Sequence, residues 1–144
     1  MTWIINALFS YLASIAFGVI INIPRRALHA CGFVGMFGWL TYMFVKQIEG
    51  GVMMANLVSA LAIGVCSIFV ARWQKMPTIL FNIPSLVPLV PGGQAYQAVR
   101  FFALNNNILA ISYLVQVAMI AGAIAMGFFL SELVGQLYFK ISNR

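Results

Sequence analysis

The sequence predicts an all-α polytopic membrane protein of about five transmembrane helices, and three observations carry that reading. Of its 144 residues 63% are apolar and only 7% charged, against about 25% charged in an ordinary soluble domain. Apolar runs of membrane-crossing length recur between isolated charges. Prolines interrupt just one of those runs, and a glycine pair follows them there. The net charge of +6 does not argue for nucleic acid, because eight scattered cations on so apolar a chain cannot line a phosphate backbone.

A helix needs about 20 predominantly apolar residues to cross the hydrocarbon core. Trp3–Ile23 meets that length and is closed by Pro24-Arg25-Arg26. Met1-Thr2-Trp3 offers no basic stretch of the kind that precedes a cleaved signal, so this first run is expected to be a retained helix. Ala27–Val45 follows, with His29 near its start and Lys46 at its end; Val52–Ala71 is next, stopped by Arg72. The last run, Ile108–Leu130, leads into a tail with Glu132, Lys140 and Arg144. Cys31 and Cys66 lie inside apolar runs with no ligand spacing and read as buried thiols.

Between Arg72 and Ile108 the pattern changes. Pro77–Val90 is apolar but too short to span, and it leads through Pro84 and Pro88 into Pro91-Gly92-Gly93. Gln94–Leu104 then reads as helix, closed by Asn105-Asn106-Asn107. The whole of 77–104 is either one discontinuous span or a re-entrant pair, which would leave four full spans. Five spans with the N-terminus outside put Arg25, Arg26, Arg72, Lys75, Lys140 and Arg144 on the cytoplasmic side. Lys46, offset by Glu49, and Arg100 then lie outside. That division fits the positive-inside rule better than the re-entrant arrangement does.

Small residues recur at helix-contact spacing: Gly32, Gly35 and Gly38; Ala60 and Gly64; Ala118, Gly122 and Ala125. Such stripes let helix backbones approach closely, within the chain or against a partner. Asn6, Asn56 and Gln116, inside spans, must form hydrogen bonds or line a path.

The broken segment is the informative one. In a helix, Pro84, Pro88 and Pro91 would deprive the carbonyls of Leu80, Pro84 and Val87 of their amide partners. An unpaired carbonyl in hydrocarbon costs several kcal/mol, so this backbone must be buried in protein or line a wet cavity. Gly92 and Gly93 open a second helix whose first amides face outward, the arrangement that broken transporter helices turn toward anionic groups. The expected substrate site therefore comprises Asn82 and Ser85 before the break, Pro88, Pro91, Gly92 and Gly93 at it, and Gln94, Tyr96, Gln97 and Arg100 after it. A kinked interfacial helix without a ligand is the plainer alternative.

Asn22-Ile-Pro24-Arg25-Arg26-Ala27-Leu28 with Gly32-Phe-Val-Gly35, and Pro77 through Pro88-Leu-Val-Pro91-Gly92 to Tyr96, together resemble the signatures of the threonine/serine exporter family in its small-subunit form. The resemblance covers nearly the whole chain and carries Pro24, Arg26, Pro88, Pro91, Gly92 and Tyr96. It implies a subunit of an exporter in the bacterial inner membrane for threonine and serine, or for dicarboxylates such as succinate. It also implies a larger membrane subunit as partner. A non-transporting scaffold subunit and a self-sufficient homo-oligomeric transporter are the alternatives.

His29 and Glu132 are the candidates for a proton relay, each with an interfacial structural role as the alternative. No enzyme constellation exists: there is no aspartate, the two glutamates are far apart, and no glycine-rich phosphate loop precedes a lysine. Neither cofactor nor metal is expected, and transport energy has to come from a gradient or a partner.

Overall fold

The computed structural model describes residues 2–48 and 50–142, so Glu49 and Arg144, weighed in the charge count, lie outside the described residues. The chain forms α1 (Thr2–Ile20), α2 (Arg25–Gln47), α3 (Gly51–Gln74), α4 (Ile79–Leu86), a 3-10 turn (Val87–Leu89), α5 (Gly92–Ala103) and α6 (Asn107–Ser142). Helices α1, α2, α3 and α6 are each long and apolar enough to cross a membrane, and Ile79–Leu89 is a shorter apolar helical stretch. The protein is an all-α polytopic membrane protein.

Three helices stop by the same device. Asn22, Lys75 and Asn105 adopt left-handed backbone, with φ of 59°, 52° and 56°. The next residue in each case donates its amide five residues back: Ile23 to Gly18, Met76 to Ala71 and Asn106 to Phe101. This six-to-one bond pairs a carbonyl that the helix end would otherwise orphan. Pro24 and Pro77 then forbid continuation. Helix α1 accordingly ends at Ile20, short of the expected Ile23. Asn106 starts α6 by accepting the Leu109 amide on its side-chain oxygen at 3.3 Å.

Helix α6 runs to Ser142, well beyond the expected Leu130, because its last turns pack along α3. A methyl at Gly127 would meet the Leu57 carbonyl oxygen at 2.5 Å, Gly64 faces Ser131, and Gly135 faces Ile68. Residue numbers rise together along the contact, so α6 runs parallel to α3. Between the end of α3 and the start of α6 the chain therefore travels the length of the bundle once, through α4, the 3-10 turn and α5. The first turns of α6 project past the start of α3 by roughly 15–20 Å at 1.5 Å per residue, and α5 packs against them. Phe101 and Tyr113 stack across that contact, ring centroids 5.5 Å apart.

Helix α4 is wedged among α1, α2 and α3. Phe81, Pro84 and Ser85 are buried. The crossing is tight at Gly35, where an added methyl would overlap the Ser14 hydroxyl of α1 and lie 3.3 Å from the Ser85 Cα of α4. Gly38 likewise makes room for Ile63, and Ser59 donates its hydroxyl to the Gly38 carbonyl. Two of the three small-residue stripes are thus consumed inside the chain. The third is not: Ala118, Gly122 and Ala125 include an exposed Gly122 with nothing near its missing Cβ, and only Ile120 and Ile124 of that stretch are in the core.

Candidate functional site

The break in the fourth segment is built from satisfied backbone. Pro84 leaves the Leu80 carbonyl without an amide, and the Cys31 thiol of α2 donates to it at 3.3 Å. Pro88 leaves the Pro84 carbonyl, which accepts instead from the Val87 amide. Pro91 leaves the Val87 carbonyl, which accepts from the Val90 amide at 3.3 Å. The two tighter bonds are what draw the chain into a 3-10 turn. Ser85 completes the lock by donating to the Cys31 carbonyl at 3.0 Å. The three carbonyls that the prolines free are therefore occupied by the protein, and polar side chains lie on either side of the break.

Those side chains border two separate spaces. A groove of about 780 Å³ lies at the C-terminal end of α3, between α3, the approach to α4 and the later part of α6. Arg72, Lys75, Thr78, Asn82, Glu132 and Gln136 line it. The side-chain oxygen of Asn82 is buried and lacks a hydrogen-bond partner. A smaller recess of about 120 Å³ lies at the other end of α3, bordered by Trp39, Tyr42, Asn56, Pro88, Pro91 and Gln94. Trp39 and Tyr42 stack with centroids 5.0 Å apart, and the Lys46 ammonium stands 5.8 Å from the Tyr42 ring. The Trp39 indole nitrogen is buried without a partner.

An apolar cluster of Val34, Ala60, Ile63, Leu89, Ile120 and Ile124 includes residues from α2, α3, the 3-10 turn and α6, with Leu86 and Phe128 packed against it. Ala60 and Ile63 stand on α3 between the residues that border the recess, Val52 and Asn56, and the first that borders the groove, Gly64. The broken segment thus contributes Asn82 to the groove, Leu86 and Leu89 to the apolar cluster, and Pro88, Pro91 and Gln94 to the recess.

A family described as "Threonine/Serine exporter, ThrE" matches residues 6–134. The chain belongs to the threonine/serine exporter family. It is also similar to an uncharacterized protein of Haemophilus influenzae, 22% identical over 143 residues, an alignment covering 94% of this chain and 47% of that one. The chain spans about half the length of this curated relative. No solved structure matches.

The residues that the sequence nominates for a family substrate site are distributed rather than gathered. Pro88, Pro91 and Gln94 meet at the recess. Asn82 faces the groove, and Ser85 is fully buried in its bond to α2. Gly92 and Gly93 form an open first turn of α5, with nothing within 4 Å of a built Cβ. Tyr96 is exposed, and Arg100 donates to Gln97 on the same helix at 3.3 Å. Pro24 and Arg26 flank the start of α2 as exposed residues.

His29 and Glu132 stand apart. His29 shares a hydrogen bond with the Tyr11 hydroxyl at 2.9 Å between α2 and α1, whereas Glu132 lines the groove. Asn6 and Asn56 each bond a carbonyl one turn back on their own helix, at 2.9 and 2.7 Å, and Gln116 is exposed on α6. Among the described residues no group of three or more His, Cys, Asp or Glu comes together as a metal site. Sequence reasoning missed Trp39, Tyr42, Thr78 and Gln136 as site residues, and treated Arg72 and Lys75 only as edge charges. The groove that Arg72, Lys75, Thr78 and Gln136 share depends on the register between α3 and α6, which no local pattern encodes, whereas Trp39 and Tyr42 border the recess.

Proposed function

We propose that the chain is a subunit of a secondary exporter of small polar metabolites, threonine and serine or dicarboxylates such as succinate. The observation that carries this reading is the broken segment, one wall of which borders a polar space at each end of the bundle with apolar side chains between. Discontinuous helices with that disposition form substrate paths in transporters, where one part of the protein rocks against another. Family membership supports export as the activity.

A larger membrane subunit completes the transporter in this reading. Support comes from the half-length match to a longer relative, since few helices are available here for alternating access. The chain sits in the bacterial inner membrane with its N-terminus outside and its C-terminus in the cytoplasm. That orientation is supported by Arg25, Arg26, Arg72, Lys75 and Lys140, which gather at the end of the bundle where α1 and α3 finish, opposite Lys46. The groove then opens toward the cytoplasm and receives substrate, and the recess lies toward the outside.

Efflux of labelled threonine and of labelled succinate from cells carrying Pro91→Ala with Gly92→Ala tests the reading. Space around Gly92 accommodates the added methyl, and Pro91→Ala returns the amide whose absence frees the Val87 carbonyl. Export should fall to background while the protein remains in the membrane with its partner. Undiminished export would remove the broken segment from the path. Purification without a co-purifying membrane protein, but with retained transport, would replace the two-subunit arrangement by a homo-oligomer.

A further inference from the structure

Charges of opposite sign share the groove: Arg72 and Lys75 come from the end of α3, and Glu132 comes from α6. Asn82 also lines the groove, but its side-chain oxygen is buried away from it. Ser131 is also in the wall, but its hydroxyl is committed to the Phe128 carbonyl at 2.7 Å. The groove therefore presents two cations on one helix and, from another, a carboxylate. A substrate carboxylate would be drawn to the first set by charge. An ammonium, which is a pure donor, matches the second.

We infer that Glu132 reads the ammonium of a zwitterionic substrate and is the residue that sets selection of amino acids against dicarboxylates. This rests on the exporter reading and specifies its substrate side. The groove's volume of about 780 Å³ exceeds that of a small amino acid, so recognition depends on charges placed on its walls rather than on enclosure. A dicarboxylate held by Arg72 and Lys75 would turn its second carboxylate toward Glu132, and like charges at a shared site are mutually repulsive. Neutralising Glu132 removes both the attraction and the repulsion, so the two substrate classes move in opposite directions.

The test uses the protein with its co-purifying membrane partner, reconstituted into proteoliposomes, with labelled L-threonine and labelled succinate as probes. Wild type, Glu132→Gln and Glu132→Asp are compared for flux and for equilibrium binding of L-threonine. Glu132→Gln should lower the threonine-to-succinate flux ratio by about tenfold or more, the scale of one charge-assisted hydrogen bond, and weaken threonine binding in parallel. Glu132→Asp should retain most of the wild-type ratio. A ratio unchanged in Glu132→Gln, an equal fall of both fluxes at equal protein level, or a wild-type preference for succinate overturns the assignment while leaving the exporter reading intact. Wild-type liposomes that move neither compound overturn both.

Discussion

The Cys31 thiol donates at 3.3 Å to the Leu80 carbonyl oxygen, the acceptor that Pro84, having no amide hydrogen, cannot serve. A side chain of α2 thus replaces a main-chain donor of α4. Cys31→Val keeps most of the volume and loses the donor, which should destabilise the protein by about 1–3 kcal/mol, the cost of a buried unpaired carbonyl. Adding Pro84→Ala returns the missing amide. The double variant should therefore be more stable than the sum of the two single changes, a positive coupling that thermal unfolding of the detergent-solubilised protein measures. Additive losses would dissociate the thiol from the carbonyl.

Gly35 and Gly122 should respond oppositely to the same change. Gly35→Ala forces a methyl against the Ser14 hydroxyl and the backbone of Ser85, and overpacking of this kind costs about 1–3 kcal/mol. Gly122→Ala meets nothing within 4 Å and should leave this chain's own unfolding temperature unchanged or slightly raised. Melting curves of the two variants, compared with wild type, provide the check.

Leu89 stands in the apolar cluster between the two polar spaces and is only 4% exposed. Leu89→Ala should cost about 2–5 kcal/mol, as for other buried leucines trimmed to alanine. In vesicles the same variant should show substrate leak that no longer follows the imposed gradient. Tight vesicles with Leu89→Ala would mean that the cluster seals nothing.

The parallel course of α3 and α6 makes a prediction about sidedness. Single cysteines at Lys75 and Gln136, placed in a background with Cys31→Ser and Cys66→Ala, should label together from the cytoplasmic face. Cysteines at Gln47 and Asn106 should label from the other. Impermeant maleimide applied to right-side-out and inverted vesicles distinguishes the two sets. Co-labelling of Asn106 with Lys75 would indicate that the fourth segment re-enters rather than crosses.

The long helices were legible because hydrocarbon thickness demands a length, and a run such as Val52–Ala71 declares it. The break was legible for a similar reason: proline's missing amide singles out Leu80, Pro84 and Val87 from the sequence alone. What satisfies those carbonyls was not. Cys31 is far from Leu80 in sequence, and nothing local marks it as anything more than a small apolar residue. The groove was hidden likewise, because Glu132 comes to line one space with Arg72 and Lys75 only through the α3–α6 register that Gly64, Gly127 and Gly135 permit. Arg100 was the opposite case. Its spacing from Gln94 and Gln97 suggested a shared pocket, yet helical rotation leaves it bonded to Gln97 on an exposed face.

The Cys31–Leu80 bond also bears on biogenesis. A segment that relies on another helix for one of its backbone partners is a poor candidate for independent insertion, since in lipid the bare carbonyl carries its full penalty. Residues 79–90 should leave the translocon stably only when α1 and α2 are already assembled beside them. The order of synthesis supplies that template: the cradle is made first, and the broken strut that needs it arrives afterward.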